Sequence, residues 1–131
     1  MKKWYIILTV LIIVLLVISC GPSAPPPELK DEQKNLAIQS IKEYPEVRDA
    51  AVLQKGKELS LAVIVDYATS EARAREIGDS FVRLVKNFGP EPAPAKEIGK
   101  GIFDYMIAVA YPNEKIVVQG AKVSSADHIT W

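Results

Sequence analysis

A single cysteine in 131 residues rules out a disulfide framework within the chain and leaves no thiolate set for a zinc cage. Histidine is as scarce. His128 is the only one, so a nucleophile–His–acid triad has no other base to use. Asp127 stands beside it, but neighbouring residues on a strand point to opposite faces, so Asp127 is not expected to orient the ring. Carboxylates are scattered singly (Asp49, Glu58, Asp66, Asp104), and no D-x-[DN]-x-[DN]-G run offers a calcium loop. Neither sign of charge is in excess: Lys plus Arg and Asp plus Glu both number 16. The four arginines (Arg48, Arg73, Arg75, Arg83) are not interleaved with aromatics. With no basic footprint, nucleic acid is not an expected partner. Nine prolines and seven glycines are too few for a collagen-like chain. No cofactor motif emerges. Gly99-Lys100-Gly101 lacks the GxxxxGK[ST] spacing of a phosphate loop and reads as a hinge before a strand.

One long hydrophobic run is present. Met1-Lys2-Lys3 is a short positive start, and Trp4 to Ile18 follows with Thr9 as its only polar residue. The run is shorter than the ~20 apolar residues a spanning helix needs, and it suits the hydrophobic stretch of an export signal. Val17-Ile18-Ser19-Cys20 closes it. Residues 1–20 resemble a bacterial lipoprotein signal peptide, and the last four residues match its lipobox. The resemblance implies that the Cys20 thiol receives a diacylglyceryl group, that cleavage falls between Ser19 and Cys20, and that the new amino group is often acylated too. Two or more acyl chains hold a protein firmly at a bilayer, each buried methylene being worth ~0.8 kcal/mol. Cys20 is thus the expected lipid attachment site, and the thioether caps the one thiol in an oxidising compartment. Gly21, and not Asp, follows Cys20. In a two-membrane bacterium the family pattern then favours the outer membrane. The expected location is the bacterial cell membrane or outer membrane, facing away from the cytoplasm. Without residues 1–19 the charge count is 14 against 16, a weakly acidic remainder.

Residues 20–28 read as a lipidated cysteine and a Pro-rich tether, with Pro22, Pro25, Pro26 and Pro27 favouring an extended polyproline form. Residues 29–131 read as one domain. Leu29 to Glu43 carries a helical stripe of Ala37, Ile38, Ile41 and Tyr44, with Asp31 as N-cap and Pro45 as the stop. Residues 50–54 and 58–66 read as a hairpin turning at Lys55-Gly56-Lys57. In the second of these strands Leu59, Leu61, Val63 and Val65 share one face, while Ala62 and Ile64 leave the other less than plainly polar. Thr69-Ser70 starts a helix that runs to about Phe88, with Ala74, Ile77, Phe81, Leu84, Val85 and Phe88 on its apolar stripe. Glu71–Arg75 and Asp79–Arg83 are acid-then-base pairs worth ~0.3 kcal/mol each. Pro90 to Gly101 is a loop. Residues 102–111 form a strand with Phe103, Tyr105, Ile107, Val109 and Tyr111 on its bulky face, and residues 116–123 another. Ser124 to Trp131 is either a last short strand or a tail.

The order helix, hairpin, helix, hairpin predicts an α+β fold of two αββ units: an antiparallel sheet of four or five strands with two helices packed on one face. The aromatic ladder Phe103, Tyr105, Tyr111 is core by its spacing, with a ligand groove as the rival reading. The expected function is a lipid-anchored, extracytoplasmic binding or adaptor domain, not an enzyme. Its expected partners are the membrane, through the N-terminal lipid, and an envelope protein or ligand. Two rival functions are a small envelope hydrolase built on carboxylates around Asp66 and Asp104, and a structural envelope lipoprotein that self-associates through a sheet edge.

Overall fold

The computed structural model of the chain describes residues 27–90 and 98–131. The signal-like segment, Cys20 and most of the Pro-rich tether lie outside the described residues, as does the middle of the 90–101 loop.

The described elements run α1 (Asp31–Lys42), β1 (Val47–Lys55), β2 (Glu58–Val65), α2 (Glu71–Phe88), β3 (Asp104–Ala110) and β4 (Ile116–Lys122). Helix α1 is capped one residue earlier than expected. Lys30 holds the N-cap position, Gln33 Oε1 accepts its backbone N–H at 2.9 Å, and Asp31 sits inside the first turn, where its charge suits the helix dipole. Ser70 caps α2 as expected, its hydroxyl oxygen accepting from the Arg73 N–H at 3.1 Å. Both surface pairs of α2 form. Arg75 reaches Glu71 at 2.7 Å, and Arg83 lies 2.9 Å from Asp79 as a charge contact without hydrogen-bond alignment.

The four strands form one sheet in the order β1-β2-β3-β4. The outer pairs are antiparallel hairpins, as expected. The central pair corrects the all-antiparallel expectation: β2 and β3 run parallel, with Leu59 opposite Tyr105 and Val63 opposite Val109. The sheet is mixed because of the length of α2. Its 18 residues advance ~27 Å, about the length of β2. The helix therefore carries the chain back to the end where β2 began, and β3 starts from that same end. Strand β1 also starts earlier than expected, at Val47, because an irregularity between Val47 and Asp49 sets Arg48 out of register on an edge that tolerates charge. The turn at Gly56 (φ 60°) takes the left-handed conformation that a two-residue hairpin loop needs.

Both helices cover one face, α1 over β1 and α2 over β2, β3 and β4, with the two helices also packed together. That face supplies the core: Leu59, Leu61, Val63 and Val65 from β2, Tyr105, Ile107 and Val109 from β3, Val118 from β4. Above them lie Ala37 and Ile41 of α1 and Ala74, Ile77, Phe81, Val82 and Val85 of α2. Leu84 and Phe88 only flank this core. The buried stripe of α2 is rotated toward Gly78 and Val82, and it brings in Lys86.

The last residues return to the sheet. Ala121 and Thr130 exchange two backbone hydrogen bonds of 2.9 Å in a single antiparallel bridge. The Trp131 indole lies between α2 and β4, against Gly78 and Gly120. A Cβ on Gly78 would stand 2.5 Å from the ring and one on Gly120 2.7 Å from it. Two glycines thus make the slot that the indole fills.

Candidate functional site

Among the described residues, the side chains that could carry chemistry do not converge. Asp66 follows the end of β2, and Asp104 pairs with Glu58 at its beginning. Eight strand residues separate those ends, a span of ~26 Å, so no pocket brings the two carboxylates together. Each is occupied locally: Asp66 accepts from the Thr69 hydroxyl at 2.9 Å, and Asp104 from the Ser124 N–H at 2.7 Å. His128 and Asp127 correct a local expectation. They lie in a bend, not a strand, and His128 Nδ1 meets Asp127 Oδ1 at 2.8 Å. That hydrogen bond holds the Asp127 carboxyl below its usual range. Both side chains are open to solvent. Gly99-Lys100-Gly101 presents carbonyls inward: the buried Lys86 ammonium donates to the Gly99 and Lys100 oxygens at 3.4 and 3.1 Å. Phe103 and Tyr105 are buried edge-to-face, ring centroids 6.5 Å apart, so they are core and not groove. Among the described residues no group of three or more His, Cys, Asp or Glu is placed to hold a metal ion, and no helix is long and apolar enough to cross a membrane.

Among the described residues, two buried cations escape a reading by hydropathy alone. Lys86 continues the Val82 row of α2. Lys122 alternates inward with Val118 and Gly120, its ammonium 5.8 Å from the centre of the Tyr105 ring. The signal for both is position: each lysine sits on the inward phase of its element's pattern.

A charged and aromatic group gathers where β2 and β3 end. Arg73 bridges Glu46 at 2.9 Å and Glu76 at 3.0 Å and lies over the Tyr44 ring. Tyr111 packs against Tyr67 with centroids 5.5 Å apart and donates its hydroxyl to the Thr69 carbonyl. Arg73 ties the first turn of α2 to the segment before β1, and its hydrogen bonds to Glu46 hold that carboxyl below its ordinary range. A depressed carboxylate contributes stability above its unfolded value and loses it as pH falls through the folded one. Glu46→Gln is therefore expected to flatten the acid limb of a stability–pH profile while leaving the alkaline limb unchanged. An identical acid limb in the variant would show that the latch contributes nothing.

The feature with the clearest capacity to bind is the sheet face turned away from the helices. Its rows follow from the register: Asp49, Ile64, Ala110 and Ile116; then Ala51, Ala62, Ala108 and Gln119; then Leu53, Ser60, Met106 and Ala121. The side chains are mostly apolar and small, and they enclose a shallow depression of about 400 Å³. Leu53 is 68% exposed, Ile116 53% and Met106 40%. Ser60 and Gln119 are the polar side chains at the floor. At the hairpin end of this sheet, Gln54 clips the incoming chain: it donates to the Pro27 carbonyl at 3.0 Å and accepts the Leu29 N–H at 2.8 Å.

Compared with known protein families, curated proteins and solved structures, the chain matches none.

Proposed function

We propose that this chain is a lipid-anchored, extracytoplasmic binding or adaptor domain that acts by docking and not by catalysis. The open apolar face of the sheet carries the binding half of this reading. A contiguous apolar patch costs solubility, and on a soluble surface it is more often a contact site than an accident. The anchoring half rests on the pattern from Met1 to Cys20 and agrees with the Gln54 clip. Cys20 to Pro27 spans at most about 25 Å of extended chain, so a lipid on Cys20 keeps the hairpin end of the sheet near the headgroups. The strands then rise from the bilayer, and the open face looks sideways along it, toward other proteins held at the same membrane.

The two halves are tested separately. The native product is expected to begin at Cys20, to carry acyl mass there and to incorporate labelled fatty acid, and Cys20→Ser is expected to abolish the label. An intact Met1 terminus with a bare thiol would remove the anchor. For the face, a photo-crosslinking amino acid at Leu53 is expected to trap envelope protein in far higher yield than the same group at Glu71 on the solvated side of α2. Equal yields at the two positions would remove the face.

A further inference from the structure

The outer edge of β4 carries a place that the chain fills with its own residues. We infer that this edge, with the slot beside it, is a docking site for a strand in which an aliphatic residue stands two before a flat aromatic. Residues 129–131 occupy it as an internal stand-in. The site is separate from the open face and from the anchor, and it stands or falls without them.

The slot is shaped to an indole on both walls. Gly78 lies on α2 and Gly120 on β4, and a Cβ on either would run into the Trp131 ring, at 2.5 and 2.7 Å. An ordinary core position is filled by side chains of the packed elements themselves. Here both elements withdraw theirs and leave the space to a residue that arrives along the edge. Ile129 follows the same logic. It is buried, and its methyl would stand 2.7 Å from a Cβ on Gly120. Ile129 and Trp131 are two apart, so they share one face of an extended segment, while Thr130 between them turns outward and is exposed. That spacing sets what a ligand must offer: an aliphatic residue, any residue, then an aromatic.

The backbone of the edge is only partly used. Ala121 turns its N–H and C=O outward, where Thr130 takes both. Alternate residues of an antiparallel edge strand turn the same way, so Gln119 also presents its pair outward. Among the described residues no backbone group bonds to Gln119 on that side. A strand in the same register that runs on past its aromatic reaches Gln119, and it adds two ladder bonds that residues 129–131 do not make. Unpaired edges of this kind are templates for strand addition.

The stand-in is lightly held. A single bridge joins it to β4. Ser125, Asp127 and His128 before it are exposed, and Trp131 itself is only half-buried. Segments with few backbone bonds and an exposed lead-in open locally while the rest of a domain stays folded. Release frees edge and slot together, so a partner strand and residues 129–131 compete for one place.

Hydrogen exchange on the unmodified full chain is the first test. The Ala121 and Thr130 amides are expected to be at least about tenfold less protected than those of Val63 and Ile107 at the centre of the sheet. Equal protection would mean that the segment leaves only when the domain unfolds, and it overturns the inference. The second test uses the full-length Trp131→Ala variant, in which the slot is empty, in mild detergent. A fluorescein-labelled peptide with the sequence of residues 124–131 is expected to bind it saturably, with a dissociation constant on the order of micromolar. Replacing the peptide's own Trp by Ala should weaken binding at least about tenfold. Two valines added after that Trp should tighten it about threefold or more, through the bonds to Gln119. Gly120→Val added to the variant should abolish binding, which places the peptide in the slot. The unmodified chain, whose own segment competes at high local concentration, should bind the peptide at least about tenfold more weakly. Circular dichroism checks the fold of each variant, and where Trp131→Ala is unfolded the exchange measurement decides alone. No saturable binding to a folded Trp131→Ala chain overturns the inference. So does binding that ignores the peptide's Trp, the added valines, Gly120→Val or the chain's own Trp131.

Discussion

Phe81→Ala is expected to destabilise the domain by about 3–5 kcal/mol. Phe81 is fully buried at the centre of α2, on the face that covers β2, β3 and β4. Truncation removes the ring from the core and leaves a void that the sheet cannot fill, because its own side chains are already packed against one another. Domains of this size are stable by only ~5–15 kcal/mol, so the variant should lose a large part of the total. Denaturant unfolding of the full chain, followed by circular dichroism, reads the effect as a lower midpoint at similar slope. Leu53→Ala is the internal control. Leu53 belongs to the same sheet but to the open face, 68% exposed, and its truncation should change stability by less than ~0.5 kcal/mol. Equal costs for the two variants would contradict the assignment of one face as core and the other as free.

Gly120→Val is expected to cost about 2–3 kcal/mol, although it adds apolar atoms, because overpacking forces neighbours from their places. A Cβ on Gly120 meets the Trp131 ring and the Ile129 methyl, each at 2.7 Å, and both flank Thr130, whose bridge to Ala121 holds this segment against β4. The readout is twofold. The unfolding midpoint drops, and emission from Trp131, one of two tryptophans in the chain beside Trp4, moves toward the red as the indole leaves its slot. In a Trp131→Ala background part of the penalty should disappear, since one of the two obstacles is gone while the Ile129 methyl remains. An additive pair of effects would show that the collision is not the cause.

Much of this fold is legible in the residues, and the reasons for the gaps are physical. The alternation of Leu59, Leu61, Val63 and Val65 fixed the buried face of β2. The capping serine and the 3- and 4-residue spacing fixed α2 to within its ends. The parallel central pair was readable as well, because a strand, an 18-residue helix and a second strand form a crossover. Counting hairpins hides that signal, and measuring the helix against the strand exposes it. Local irregularities left less trace. Nothing in Val47-Arg48-Asp49 announces an edge strand with a shifted register, since charge there reads as loop. Asp127 and His128 met because their backbone bends, a matter of tertiary context. For the candidate site, the clue was Ala62 and Ile64 on the supposedly outer side of β2, joined by Met106, Ala108 and Ala110 on β3. Apolar residues on both faces of two central strands mark a sheet not finished on one side. The pattern of large and small across that face needs the register, which periodicity alone does not supply.

The parallel seam at the middle of the sheet also governs how the chain assembles. Each hairpin joins residues close in sequence and forms on the microsecond scale. The β2–β3 ladder joins strands separated by 38 residues and must wait for that long loop to close, and such nonlocal pairing is the slow step of a small domain. Until that step, Leu61 and Val63 on one hairpin and Ile107 and Val109 on the other present raw greasy edges. A chain nicked between β2 and β3 would leave two pieces, each holding half of the core, and each would depend on recapturing the other.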